Sequence, residues 1–481
     1  MGFSYTEEQL AVIDSRGCSL LVSAAAGSGK TAVLVERIVR IVSDADNPVD
    51  IDRLLIVTFT NAAAAQMRER ISEALGRRLE EDGDNAHLQR QLTLLHNAKI
   101  TTIDSFCLFI LRNNFNDIGL DPGFRVADEG ELKLLRGEVM EAFLEEWFEK
   151  QDADFLHCLE SFHPGGDEKA LAEHILRLYD FSRSLPFPEA WLVQAAAEYA
   201  PEDGERAEDG QAAREAAAWL TFAVDDMKNT VSACAAHLEA ALAVCEQPDG
   251  PYMYAPVLEA EREMLSACRG ETFQEYEAGF ARIAFGRLPS KKDDSVSGEK
   301  RELVKGMRTA VKDAVEKVRG RYFAMSCAQA FADLRESGRI VRTVVSLTLA
   351  FGALLAEKKR EKNILDFNDM EHYALRIMLE ETENGHVPSK TAKEYRQYFH
   401  EIMIDEYQDS NLVQEYLLQS ISGEAEGRYN RFMVGDVKQS IYRFRQARPE
   451  IFMEKYGRYG DTGAERRIIL HRNFRSRHEV T

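Results

Sequence analysis

The chain has 481 residues, 45% hydrophobic and 29% charged, which is the balance of a globular protein. At roughly 100–200 residues per domain it has room for two to four. Sixty Lys and Arg against eighty-one Asp and Glu leave a formal charge of −21, which excludes a general polyanion binder and confines any nucleic-acid site to a local basic groove.

No apolar run reaches the ~18–20 residues of a membrane span, and no basic stretch leads into an apolar leader. The seven cysteines are scattered and form no CxxC pair, which argues against a disulfide framework or a zinc site. A cytoplasmic protein without a membrane anchor is therefore expected.

Residues 1–120 alternate the short apolar runs SLLVSA, LLIVTF and AKITTI with helical stretches, the pattern of a parallel, doubly wound sheet. Directly after the first run, residues 23–31 read SAAAGSGKT and lead into the helical AVLVERIVRIV. Phosphate binding needs backbone N–H groups converging on an anion at a helix N-terminus, with glycines for close approach and a lysine for the β and γ oxygens. Ala24, Ala25, Ala26, Gly27, Ser28 and Gly29 form such a loop, Lys30 supplies the charge, and the Thr31 hydroxyl is placed to ligate Mg²⁺. Ala24 stands where the common pattern has its first glycine, and alanine is small enough for the turn.

Over residues 121–360 the strand signal vanishes. Leu132, Leu135, Val139, Phe143 and Trp147 recur at three- and four-residue spacing, the face of an amphipathic helix. Residues 201–280 hold 17 acidic and 5 basic side chains, whereas residues 281–321 hold 6 and 12. Such runs are ordinarily solvated helix surface, although the basic one could touch a DNA backbone. Exposed loops are expected at 201–210 and 288–300. Over residues 361–481 strands return as EIMIDE, RFMVGD and RRIIL, so one α/β domain interrupted by a long helical insertion is the economical reading. EIMIDE is an apolar strand ending in two carboxylates: Asp405 can reach a metal through water and Glu406 can polarise an attacking water. Paired acids after a strand are commonly just loop, but with a phosphate loop in the same domain they make a hydrolysis site.

At this point the residues carry a resemblance. Asp405-Glu406-Tyr407-Gln408-Asp409-Ser410 resembles the DExQD motif of superfamily 1 helicases of the UvrD/Rep type, and Val434 to Arg445 resembles their third motif. Tyr5 to Gln9 is similar to the Q motif, Thr58 to Asn61 to motif Ia, Thr101 to Phe106 to motif Ib, and Leu470 to Ser476 to motif IV. The wording GDVKQSIYRFR, with Leu365-Asp366-Phe367-Asn368-Asp369-Met370 ahead of the acids, looks most like the AddA and RecB branch of the helicase–nucleases. The resemblance implies a RecA-like P-loop NTPase domain with a parallel sheet, interrupted by a large all-helical insertion. It implies ATP and Mg²⁺ as cofactors, single-stranded or duplex-end DNA as substrate, 3′→5′ polarity, and a second, AddB-like protein as partner.

By the same resemblance Gln9 would bond the adenine edge and Phe474 stack on its face. Gln439 would sense the γ-phosphate, and Arg475 would act as an arginine finger. Phe59, Tyr442 and Phe444 would stack on bases, with Thr60, Asn61, Thr102 and Arg445 beside them on the strand. Asp104 stands where relatives usually carry His, and a carboxylate there would repel phosphate.

Three readings stay open on sequence. One is the ATPase part of an AddA-like helicase–nuclease acting in DNA end processing and recombinational repair. The others are a UvrD/Rep-type repair helicase, and an ATP-binding DNA- or partner-docking module without motor output. Nothing after motif IV matches motifs V and VI or a nuclease signature. The expectation is therefore a chain that binds Mg·ATP but unwinds poorly alone.

Overall fold

Six apolar runs form six strands of one parallel sheet: β1 (Ser19–Ala24), β2 (Leu54–Thr58), β3 (Lys99–Thr102), β4 (Glu401–Ile404), β5 (Arg431–Gly435) and β6 (Glu465–Leu470). The order across the sheet is β6-β1-β5-β4-β2-β3, so strands far apart in the chain lie side by side at its centre. Leu20 is in register with Phe432, Ile56 with Ile100, and Val57 with Ile404. The computed structural model describes residues 5–25, 27–83, 85–162, 168–197, 218–290, 293–325, 327–383, 385–442 and 446–474.

The four central strands are apolar at successive positions because both faces are covered, whereas the edge strands β3 and β6 are only partly buried. Leu20, Val22, Ile56, Met403 and Phe432 pack on one side against α2 (Lys30–Val42) and α3 (Asn61–Asp82), through Leu34, Ile38, Met67 and Ile71. Leu21, Leu55, Val57, Ile404 and Met433 point the other way. They meet α4 (Ile103–Asn114), α5 (Phe367–Met378) and α6 (Leu412–Ser420) through Phe106, Ile110, Leu375, Met378 and Leu417. Arg37 of α2 is buried in the first layer, where it donates to Glu401 at 2.8 Å and to the Val12 carbonyl at 2.7 Å.

The chain divides into two compact units. The unit with the sheet comprises Met1–Glu146, Ala172–Trp191 and Thr348–Thr481. The second comprises Trp147–Leu171 and Leu192–Leu347. Its core joins helices Ala218–Cys245, Ala255–Ala267, Phe273–Arg282 and Gly298–Tyr322 through Met227, Leu238, Leu258, Phe280, Val304 and Val311. Glu261 is buried there, and Arg308 Nε donates to it at 2.8 Å.

Every described element between Val126 and Ile364 is helical, and the spacing noted from Leu132 to Trp147 lies on helix Glu129–Lys150. Three features depart from expectation. A two-residue strand, Arg125–Val126, pairs with Ile364–Leu365, too short to leave a periodic signal. An antiparallel hairpin, Leu379–Thr382 with Gly385–Pro388, is largely exposed and polar, so it lacks the apolar run that marks a strand. The third corrects the view that no segment is apolar enough to span a membrane. Arg335–Glu361, within helix Cys327–Glu361, passes by length and composition. Protein core takes up part of this apolarity: Phe351 is buried edge-on against Phe143 and Tyr179, and Leu355 is fully buried. The loop expected at 201–210 lies outside the described residues. That at 288–300 gives way to helix at Gly298, which Ser297 caps.

Candidate active site

β1 ends at Ala24 and α2 begins at Lys30, so the phosphate loop lies at the C-terminal edge of the sheet, where α/β folds place their ligands. Gly29 caps α2 with φ +84°, and an added Cβ would come 3.1 Å from Gln9 Nε2. Gln9 is itself held in the capping box of α1 (Glu7–Asp14): its Oε1 accepts from Thr6 N at 3.0 Å, while its Nε2 donates to Ser28 O at 3.1 Å. Its amide thus faces the loop. Ser28 is fully buried and its Oγ has no hydrogen-bond partner among the described residues. A buried hydroxyl without a partner, at a glycine-flanked helix N-terminus with a lysine beside it, fits a phosphate group. Thr31 stands half-buried in the first turn of α2, and Ala25 is exposed in the loop. Phe474 donates its N–H to Gly27 O at 2.8 Å, which brings its half-exposed ring to the rim of the loop.

Across from the loop, β4 delivers the two acids. Asp405 continues the ladder by donating its N–H to Val57 O at 2.9 Å, and the chain then turns sharply at Glu406, φ +54°. A non-glycine residue in that region is held there by its surroundings, and such residues cluster at functional sites. The turn brings Glu406 Oε2 to 3.1 Å from Lys30 Nζ. Burial, with Glu406 beside it, pushes the Asp405 carboxyl up to about 6 against the pull of Lys30. A divalent cation would relieve both of the raising causes.

Gln408 links these acids to β5. Its Nε2 donates to Glu406 Oε2 at 2.9 Å and to Asp409 Oδ2 at 3.1 Å, while its Oε1 accepts from Asp436 N at 2.9 Å. Gly435 is required for this approach, since a Cβ there would fall 2.3 Å from Gln408 Oε1. Asp436 Oδ2 in turn accepts from Gln439 Nε2 at 2.6 Å. Lys30, Glu406, Gln408, Asp436 and Gln439 therefore form one connected polar series. Gln408 and Asp436 had no assigned role on sequence, although both lie inside quoted motifs; their part depends on pairing between β4 and β5.

The residues expected on DNA are distributed unevenly. Phe59, after β2, and Tyr442, after β5, meet with ring centroids 4.4 Å apart and planes tilted by 36°. Thr60 caps α3 by accepting from Ala63 N at 3.1 Å and is exposed, as is Asn61. Thr102 is buried, its hydroxyl engaged in capping α4: it accepts from Ser105 N at 3.2 Å and donates to Ser105 Oγ at 2.9 Å. Ala26, Phe444, Arg445 and Arg475 lie outside the described residues. Asp104, in the first turn of α4, lines a cavity of about 470 Å³ with Phe59, Phe367, Glu371, Asp405 and Glu406.

A family model described as the UvrD/REP helicase N-terminal domain matches residues 5–460. The A subunit of the ATP-dependent helicase/nuclease of Lachnoclostridium phytofermentans is 44% identical over 484 residues, covering 99% of this chain and 35% of that protein. Its namesake in a Thermoanaerobacter species is 45% identical, covering 100% of this chain and 39% of the relative. In Clostridioides difficile the identity is 42%, with 99% and 38% covered. The chain thus spans well under half the length of these curated relatives.

Proposed function

The chain belongs to the UvrD/REP helicase N-terminal domain family, and from that premise we propose that it is the ATP-binding part of an AddA-like helicase–nuclease that works on DNA ends in recombinational repair. The observation that carries this reading is the approach of Lys30 to Glu406, joined through Gln408 to Gln439. Lys30 and the N–H groups of residues 27–31 would hold the phosphates of ATP, Thr31 and Asp405 would hold Mg²⁺, and Glu406 would orient the attacking water. ATP supplies the phosphoanhydride whose cleavage drives the motor. Gln9 and Phe474 flank the loop where adenine would sit. Gln439 would report the state of the phosphates to the segment bearing Tyr442, and Arg475 would be the arginine finger.

Phe59 and Tyr442 form an aromatic step after β2 and β5, suited to stacking single-stranded bases, with Thr60 and Asn61 exposed beside Phe59; Phe444 and Arg445 would join them by the resemblance of their motif. Thr102 would act only through the shape of α4, because its hydroxyl is already engaged. Residues 1–120 and 361–481 form the RecA-like domain on this reading, and 121–360 the helical insertion. On this reading the partner is an AddB-like subunit, the substrate is single-stranded or duplex-end DNA, and the setting is cytoplasmic; the subunit naming of the relatives supports the first.

Equilibrium binding of a fluorescent ATP analogue with Mg²⁺ tests the assignment. Lys30→Ala is expected to weaken it at least about tenfold, some 1.4 kcal/mol. Equal affinity in the two proteins would remove the phosphate site.

A further inference from the structure

Among the buried acids the mechanism does not use, Glu371 contacts Asn411, next to the segment bearing the catalytic pair. Glu371 lies in the middle of α5, on the side of the sheet where α5 packs between α4 and α6. Its Oε2 accepts from Asn411 Nδ2 at 3.0 Å and its Oε1 from Gln414 Nε2 at 2.7 Å. Those two residues are the capping box of α6: Asn411 Oδ1 accepts from Gln414 N at 2.8 Å, and Gln414 Oε1 accepts from Asn411 N at 3.4 Å. Asn411 directly follows the DEYQDS segment. One carboxylate therefore grips both ends of the device that fixes where that segment enters its helix.

We infer that Glu371 is a positioning residue for the catalytic acids, holding the start of α6 so that Asp405 and Glu406 keep their place on the metal side of the nucleotide. The inference rests on the function proposed above. Two features support it. First, α5 is itself anchored: its N-cap Asp366 and its Asp369 share the buried Lys359, at 3.0 and 2.5 Å, and Arg183 reaches Asp369 at 3.2 Å. Second, a buried carboxylate is costly, and this one is bonded to a capping box that already closes on itself. Burial pushes the Glu371 carboxyl up to about 7; Gln414 and Asn411 lower it, Asp104 raises it, and Arg183 lowers it. Glu371 also lines the 470 Å³ cavity that Asp405, Glu406 and Asp104 line.

The test compares affinity for a fluorescent ATP analogue in Mg²⁺ and in EDTA, for the full chain, Glu371→Gln, and Glu371→Gln/Gln414→Glu. The single change places one amide N–H₂ against another; the double change restores a carboxylate–amide pair with the partners exchanged. Affinity in EDTA, set by the phosphate loop, is expected to be equal in all three. The gain on adding Mg²⁺ is expected to fall roughly five- to tenfold in the single variant, the scale of one lost buried hydrogen bond, and to return in the double variant. A full Mg²⁺ gain in Glu371→Gln overturns the inference, as does a loss the exchange fails to rescue, including one due to failed folding. If the unaltered chain gains nothing from Mg²⁺, the functional reading falls first and the inference with it.

Discussion

The acids and bases beneath the site show how much one residue's surroundings decide. Glu415 of α6 is buried, with Oε1 at 2.8 Å from both Arg431 and Lys455 and Oε2 accepting the Tyr407 hydroxyl at 2.7 Å. Burial pushes its carboxyl up, but Arg431 and Lys455 outweigh this and bring it down to about 2. A carboxyl held below the ~4.3 of an unfolded glutamate stabilises the fold above that pH, and the stabilisation is lost as pH falls from ~4.3 toward 2. Glu415→Gln is expected to cost about 3–5 kcal/mol at pH 7, because it leaves buried cations short of charge, and to flatten the acid limb of stability. Urea unfolding at a series of pH values measures both; parallel curves for the two proteins would contradict the assignment. At this scale the sequence is legible where a residue type has one chemical use in its motif, as with Lys30, Asp405 and Glu406. Glu371 and Glu415 were not legible, because their partners sit largely on other elements and no local spacing records them, and the link from Gln408 to Asp436 depends on strand pairing.

At the scale of elements, the central strands were readable because they are buried on both faces and so are short runs of β-branched and apolar residues between turns, and the half-covered edge strands keep enough of that pattern to follow. The hairpin at 379–388 was not, since its exposed polar strands carry no such contrast. Nor does an amphipathic helix record which unit it packs on, so the division of the chain between two units required the structure. The motifs after β2 and β5 gain meaning once those strands lie in one sheet, which sets Phe59 against Tyr442. On the proposed function this pair stacks bases, so Phe59→Ala or Tyr442→Ala is expected to weaken oligo-dT binding by ~1–3 kcal/mol and to leave nucleotide binding unchanged. Fluorescence anisotropy at fixed salt measures the first. Unaltered oligo-dT affinity in both variants would move the strand elsewhere.

The whole molecule carries −21, yet its proposed substrates are polyanions. On the proposed function the resolution is local: Lys30 stands beside Glu406 where the nucleotide would bind, and the aromatic step offers stacking, which does not depend on net charge. The polar series from Lys30 to Gln439 runs from the phosphate loop to the segment bearing Tyr442, so nucleotide and DNA are expected to be felt at each other's sites. Steady-state ATP hydrolysis with and without oligo-dT, for the unaltered chain, Lys30→Ala and Glu406→Gln, tests this most directly. The account predicts turnover that rises with oligo-dT and falls at least about a hundredfold in both variants, roughly the loss of one charge-stabilising group at a phosphoryl-transfer site. Turnover that survives in Lys30→Ala, or that ignores the DNA, would contradict it.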